Sequence, residues 1–261
     1  MTTAAAYPDS RPAVVLLHSS MSSRSQWAAL MSAHERDYRF IALDLLGYGK
    51  APFPDAAMLA SFSLAHEVEA VQAALAAHLA PHETFHLIGH SYGGATALRL
   101  ARTAPGRVRS LAVFEPVAFH LLDDSEPGRA EVGAVIAAIE AAATPEQATR
   151  SFIDYWNGPG AFDAMPAPVR ERFTAQVAKV RLDFTALLGE PATLHDMAAI
   201  GVPALVLSGR AGPASTRAVV TRLAAALPNA TSAQTPGGHM APITHAADVN
   251  RELAAFLATV A

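Results

Sequence analysis

The stretch from Phe85 to Ala104 constrains this chain more than any other. A short apolar run ends in Gly89-His90-Ser91-Tyr92-Gly93, and a helical pattern closed by Pro105-Gly106 follows at once. A G-x-S-x-G pentapeptide carries weight only in this setting of strand, sharp turn and helix. Such a turn forces Ser91 to positive φ, so that its hydroxyl stands clear of the backbone. It also leaves no room for a Cβ at Gly89 or Gly93, where a neighbouring strand or helix passes. Gly94, Ala95 and Ala97 keep the first turns of the helix slim enough to pack closely on a sheet. The free N–H groups and dipole of that helix favour negative charge developing beside Ser91.

The 261 residues suffice for one large domain, with room for a smaller insertion. Hydrophobic residues make up 51%, and alanine accounts for much of this, which points to helices rather than an apolar surface. The net charge of −4 comes with no basic run and no aromatic–basic interleaving, which argues against nucleic-acid or anionic-membrane partners. There is no cysteine, so disulfides, thiolate catalysis and cysteine-bound metals are excluded. Residues 1–12 are polar and lack the basic and apolar segments of a signal peptide, and no apolar run approaches the ~18 residues that span a bilayer. A cytoplasmic protein acting on a small molecule, with neither cofactor nor metal, is the expectation.

Taken in order, Ala13-Val14-Val15-Leu16-Leu17 reads as a strand buried on both faces. A small polar loop, His18 to Ser23, leads to a helix containing Trp27 and Leu30. The next strand is predicted over 39–43, ending at Asp44. An amphipathic helix capped by Ser61 or Ser63 runs to Leu79, and the Ser91 strand and helix precede a strand over 108–114. This alternation predicts an α/β fold with a doubly wound, mostly parallel sheet flanked by helices. The alternation stops at 116–200, where no strand is convincing and helical patterns recur. Val169, Phe173, Val177, Val180, Phe184 and Leu187 form one apolar stripe there. The core is therefore assigned to 1–115 and 201–261, and 116–200 to a helical cap insertion placed to cover the strand ends. After it come a strand over 202–207, a helix over 215–227, a short edge strand over 230–234 and a final helix over 246–260.

A serine hydroxyl becomes a useful nucleophile only with a base, an orienting group behind the base, and donors for the oxyanion. Among eleven histidines, His239 has the best setting. It follows Gly237-Gly238, lies past the last strand and precedes the final helix. His90 adjoins Ser91, but strand alternation turns its side chain to the other side.

With these residues in place the chain resembles the α/β-hydrolase superfamily, of the capped serine-hydrolase or esterase type. The resemblance rests on Leu17-His18-Ser19-Ser20, Asp44-Leu45-Leu46-Gly47-Tyr48-Gly49, Gly89-His90-Ser91-Tyr92-Gly93-Gly94 and Gly237-Gly238-His239-Met240. It implies Ser91 as nucleophile, His239 as general base and the backbone N–H groups of Ser20 and Tyr92 as the oxyanion hole. Three departures accompany it. Ser19 stands where the family usually has glycine. Only twelve residues precede the first strand, too few for the strand hairpin that the family generally carries there, so the sheet is expected to be shortened at that edge. The family pattern Gly-x-x-Asp-Pro reads Gly209-Arg210-Ala211-Gly212-Pro213, with glycine in place of the acid. Glu115, at the end of the strand after the nucleophile's, is the replacement the superfamily suggests, and a glutamate has the reach. Asp44, Asp123, Asp124 and Asp248 are read as structural or solvated.

The resemblance implies hydrolysis of a small, largely apolar ester or related acyl compound through an acyl-enzyme. Carbon–carbon bond hydrolysis and cofactor-free perhydrolysis use the same constellation, and a ligand-binding protein that retains the fold stands as a non-enzymatic alternative. Substrate contacts are expected from His18, Ser19, Phe119, Trp156 and Met240, with Tyr155, Phe162 and Met165 as further cap candidates.

Overall fold

Strand alternation in the buried apolar runs decides how the two layers of helix attach. The computed structural model describes residues 9–260. Its six strands are β1 (Ala13–Leu17), β2 (Arg39–Leu43), β3 (Phe85–His90), β4 (Val108–Phe114), β5 (Ala204–Gly209) and β6 (Ala230–Thr235). They form one parallel sheet in the order β2-β1-β3-β4-β5-β6. β2 is one edge, and among the described residues no strand precedes β1. The doubly wound sheet is thus present, and its order reverses between β1 and β3, where such folds bind ligands at the carboxyl ends of the strands.

The helices are α1 (Ala28–His34), α2 (Ala56–Leu59), α3 (Leu64–Leu75), α4 (Tyr92–Thr103), α5 (Pro127–Ala141), α6 (Pro145–Asn157), α7 (Ala167–Thr174), α8 (Val177–Leu188), α9 (Leu194–Met197), α10 (Ala214–Ala226), α11 (Ala241–Thr244) and α12 (Ala246–Val260). Val14 and Leu16 of β1 point to one face, where they meet Leu30 of α1 and Val249, Leu253 and Leu257 of α12. Ala13, Val15 and Leu17 point to the other, into the core shared with α3 and α4. Each fully buried Leu or Val contributes about 1.5–3 kcal/mol, so all-apolar strands secure both layers together.

Local signals set the helix ends. Ser63, not Ser61, caps α3, in a box with His66. Thr144 caps α6 by accepting from the Gln147 amide, and Gly158, at φ 98°, ends it. Between β4 and β5 the described chain is helical throughout its regular elements, from α5 to α9. The apolar stripe is not one helix. The chain breaks at Ala175–Gln176, leaving Val169 and Phe173 half-buried on α7 and Val177, Val180, Phe184 and Leu187 buried on α8. Periodicity survives this break because the two helices continue the same spacing.

Candidate active site

The bend after β3 holds Ser91 at φ 54° and ψ −119°, the strained conformation its motif demands. The flanking glycines are sterically required. A Cβ at Gly89 would lie 2.4 Å from the carbonyl oxygen of Gly93, and one at Gly93 would lie 2.4 Å from that of His18. The loop after β6 brings His239 to Ser91, with Nε2 2.9 Å from Oγ. On the other side of the ring, Nδ1 lies 2.8 Å from Oε2 of Glu115. A carboxylate only accepts, so Nδ1 carries the hydrogen and Nε2 is free to accept from the serine hydroxyl. All three side chains are buried.

Glu115 takes over space as well as position. It leaves β4 at φ 38°, a second strained residue, and its Oε1 accepts from the Gly209 amide at 2.9 Å. A Cβ on Gly212 would stand 2.1 Å from that same Oε1. The carboxylate from β4 therefore occupies the volume that a side chain at 212 would need, and glycine at 212 is the complement of glutamate at 115. Asp44 accepts instead from the amides of Arg24 and Lys50, Asp123 pairs with Arg222, and Asp248 pairs with Arg251.

Among the described residues, neither the Ser20 nor the Tyr92 amide donates to a protein acceptor. Tyr92 is the first residue of α4, where an amide has no partner within the helix. Ser20 adjoins Met21, which sits at φ 56°. The Ser20 amide belongs to the loop after β1, and the Tyr92 amide follows Ser91 directly at the start of α4.

A cavity of about 670 Å³ opens beside Ser91 and His239. Ser19, Ser20, Trp156 and Met240 line it, with Met165 and Phe173 farther out and Arg172 its one charged side chain. A second hollow of about 10 Å³, no larger than one water, lies behind Ser91 against Phe119, Phe152, Phe184 and Asp183. Trp156 borders both, its ring stacked on that of His239 with centroids 3.8 Å apart. The expected contacts Ser19, Phe119, Trp156 and Met240 are thus at these walls.

His18 is not, and its role as a substrate contact is corrected. Its ring is turned inward, where Nδ1 donates to the Ser19 carbonyl at 2.7 Å and Nε2 accepts from the Leu45 amide at 3.0 Å. Burial pushes its pKa down to about 4, so it is a neutral staple between the loops after β1 and β2. Tyr155 bonds to Glu131 and Ser215, and Phe162 is buried beneath Arg150.

Two sets of residues escaped the sequence. His90, expected to face away, lies with its ring 5.1 Å from that of His239, and its Nε2 donates to the His239 carbonyl at 2.9 Å. Burial holds it well below the usual histidine range, so it supports the loop as a neutral donor. The second set is a buried charged group, Lys179 and Asp183 on α8 with Glu67 on α3, all essentially without exposure. The available signal was that Lys179, Asp183 and Ala186 recur at helical spacing on the buried side of α8. Among the described residues no three histidine or carboxylate side chains converge as a metal site, and no helix is long and apolar enough to cross a membrane.

The family model for the alpha/beta hydrolase fold matches residues 12–246. The putative carbamate hydrolase RutD of Variovorax paradoxus is 32% identical over 265 residues, covering 94% of this chain and 92% of that protein. The probable lysophospholipase BODYGUARD 1 of Arabidopsis thaliana is 35% identical over 108 residues, 40% of this chain and only 22% of the relative. The carboxylesterase YbfK of Bacillus subtilis is 30% identical over 117 residues, 43% of this chain and 38% of that protein. The crystal structure of YbfK superposes with a TM-score of 0.72 at 23% identity, over 96% of this chain and 85% of that one. Sheet order, the bend at Ser91 and the extent of these matches agree: the chain is a member of the alpha/beta hydrolase fold family.

Proposed function

We propose that this chain is a serine hydrolase that cleaves small, largely apolar esters or related acyl compounds through an acyl-enzyme. The observation that carries the reading is the unbroken run of hydrogen bonds from Ser91 through His239 to Glu115. As Ser91 Oγ bonds to the acyl carbon, its proton passes to His239 Nε2, and Glu115 stabilises the imidazolium that results. The amides of Ser20 and Tyr92 receive the oxyanion. His239 then protonates the leaving group, and a water activated by the same imidazole releases the acid and restores Ser91.

The wall chemistry supports the substrate class. Methionine and aromatic side chains favour apolar groups, while the hydroxyls of Ser19, Ser20, Ser22 and Ser23 leave one side polar. A carbamate is the second reading, favoured by the near full-length match to a putative carbamate hydrolase. A non-catalytic binder would be favoured by an unfilled acid position at 212; the Glu115 carboxylate in that space supports the hydrolase reading instead. Steady-state turnover of p-nitrophenyl esters of increasing acyl length, with a matching carbamate series, tests the proposal. Ester turnover falling with acyl length is expected. No turnover of any ester, thioester or carbamate by the folded protein would overturn it.

A further inference from the structure

Burying a lysine and two carboxylates together is costly, and replacing such a cluster with apolar groups is often neutral or stabilising. Stability alone therefore gives no reason for Lys179, Asp183 and Glu67 to lie under the cap. Their partners do. Asp183 Oδ2 accepts from the Ser20 hydroxyl at 2.6 Å and from the Tyr48 hydroxyl at 2.6 Å. Glu67 Oε1 accepts from the Tyr92 hydroxyl at 3.1 Å, and its other oxygen accepts from the Leu46 amide at 3.2 Å. Lys179 Nζ joins the two halves, donating to Glu67 Oε1 at 2.8 Å and to Asp183 Oδ1. The rings of Tyr48, Phe62 and Tyr92 surround the ammonium at 4.9, 4.9 and 4.6 Å from their centroids. One cap helix thus grips the side chains of the two residues whose amides flank Ser91.

We infer that Lys179, Asp183 and Glu67 are positioning residues: a buried ionic clamp through which the cap fixes the Ser20 and Tyr92 amides relative to Ser91. The inference rests on the serine-hydrolase reading for its catalytic consequence, but its mechanical content does not. Oxyanion donors act only when held at the right distance before charge develops, and removing one costs about 10²–10³-fold. Loosening the loop that carries Ser20 costs less, because the amide stays present but is no longer fixed. The clamp also makes cap seating and donor alignment a single event, since α8 supplies two of its three charges.

The test combines two readouts on the wild type, Ser20→Ala, Asp183→Asn and the double variant. The first is hydrogen–deuterium exchange of the peptide spanning 18–23; the second is kcat and KM on a p-nitrophenyl ester. Loop exchange is expected to quicken about tenfold in each variant while the sheet peptides stay protected. The kcat should fall about tenfold with KM within about threefold, and the double variant should be no worse than the poorer single. A merely structural role predicts additive losses and no such split. Unchanged loop exchange in both single variants would overturn the clamp, and Ser20→Ala settles this even if Asp183→Asn fails to fold. Faster exchange with wild-type kcat would overturn the positioning role. Should Ser91→Ala turn over ester as fast as wild type, the hydrolase reading fails separately, and the exchange data still decide whether the clamp exists.

Discussion

The site has two halves built on different principles. On the sheet side, Ser91, Glu115 and His239 leave strand ends or the loops next to them, and backbone strain with missing Cβ atoms fixes them. On the cap side, Trp156, Lys179 and Asp183 project from helices and are held by stacking and by buried charge. On the proposed reading, the sheet half carries the reactive groups and the helical half supplies walls and alignment. Substitutions in the sheet half should therefore strike the chemical step. Those in the cap half should act on binding, or on how well the site is assembled.

The largest effects should follow from the sheet half. Ser91→Ala and His239→Ala are each expected to lower kcat by several orders of magnitude on any ester that the wild type accepts, with the double variant little worse than either single. Additive losses would mean that the two do not act as a unit. Glu115→Gln keeps the size of the side chain but loses the charge that orients the imidazole, and should cost on the order of 10³-fold in kcat. Near-wild-type turnover would remove it from the mechanism.

A sharper version exploits the crowding at Gly212. In the wild type, Gly212→Asp places a side chain on top of the Glu115 carboxylate, and the protein should lose both stability and activity. Combined with Glu115→Gly, the same aspartate enters vacated space beside His239. The pair should regain at least about tenfold in kcat over Glu115→Gly alone. No recovery would show that the acid cannot be relocated to the loop after β5. In the cap half, Trp156→Leu removes the wall stacked on His239. KM for short esters should rise on the order of tenfold while kcat changes much less. An equal fall in kcat would give the indole a part in the chemistry.

The smallest effect on turnover concerns His18, which lies on neither working face and acts on stability instead. Its folded pKa of about 4 is below the usual value of 6.5, so the unfolded chain binds the proton more readily between these limits. Stability should decline as pH falls from about 6.5 toward 4, by up to about 3 kcal/mol from this residue. Thermal unfolding of the wild type and His18→Asn across that window checks it, the variant showing the shallower decline.

The two halves also differ in how far they could be read from the chain. Backbone-determined features leave local marks. The all-apolar β1, the glycines around Ser91, and Glu115 and His239 just past predicted strands all follow from neighbouring residues. The cap leaves weaker marks, since periodicity gives a helix its apolar face but not its ends or partners. The stripe from Val169 to Leu187 accordingly concealed the break at Ala175–Gln176. Lys179 and Asp183 stand four residues apart, a spacing that says nothing of burial, and the partner that completes their cluster, Glu67, lies more than a hundred residues earlier. His18 misled for a related reason. It borders a site loop, but the Leu45 amide that claims its second nitrogen comes from another strand end.

The most direct measurement of the central claim is the mass of peptides from protein treated with a fluorophosphonate. This reagent phosphonylates a serine only where a base activates it and donors accept the phosphonyl oxygen. The account predicts one adduct per chain, on the peptide containing Ser91, and none there after His239→Ala. Folded wild-type protein that turns over ester yet carries no adduct on Ser91 would contradict it.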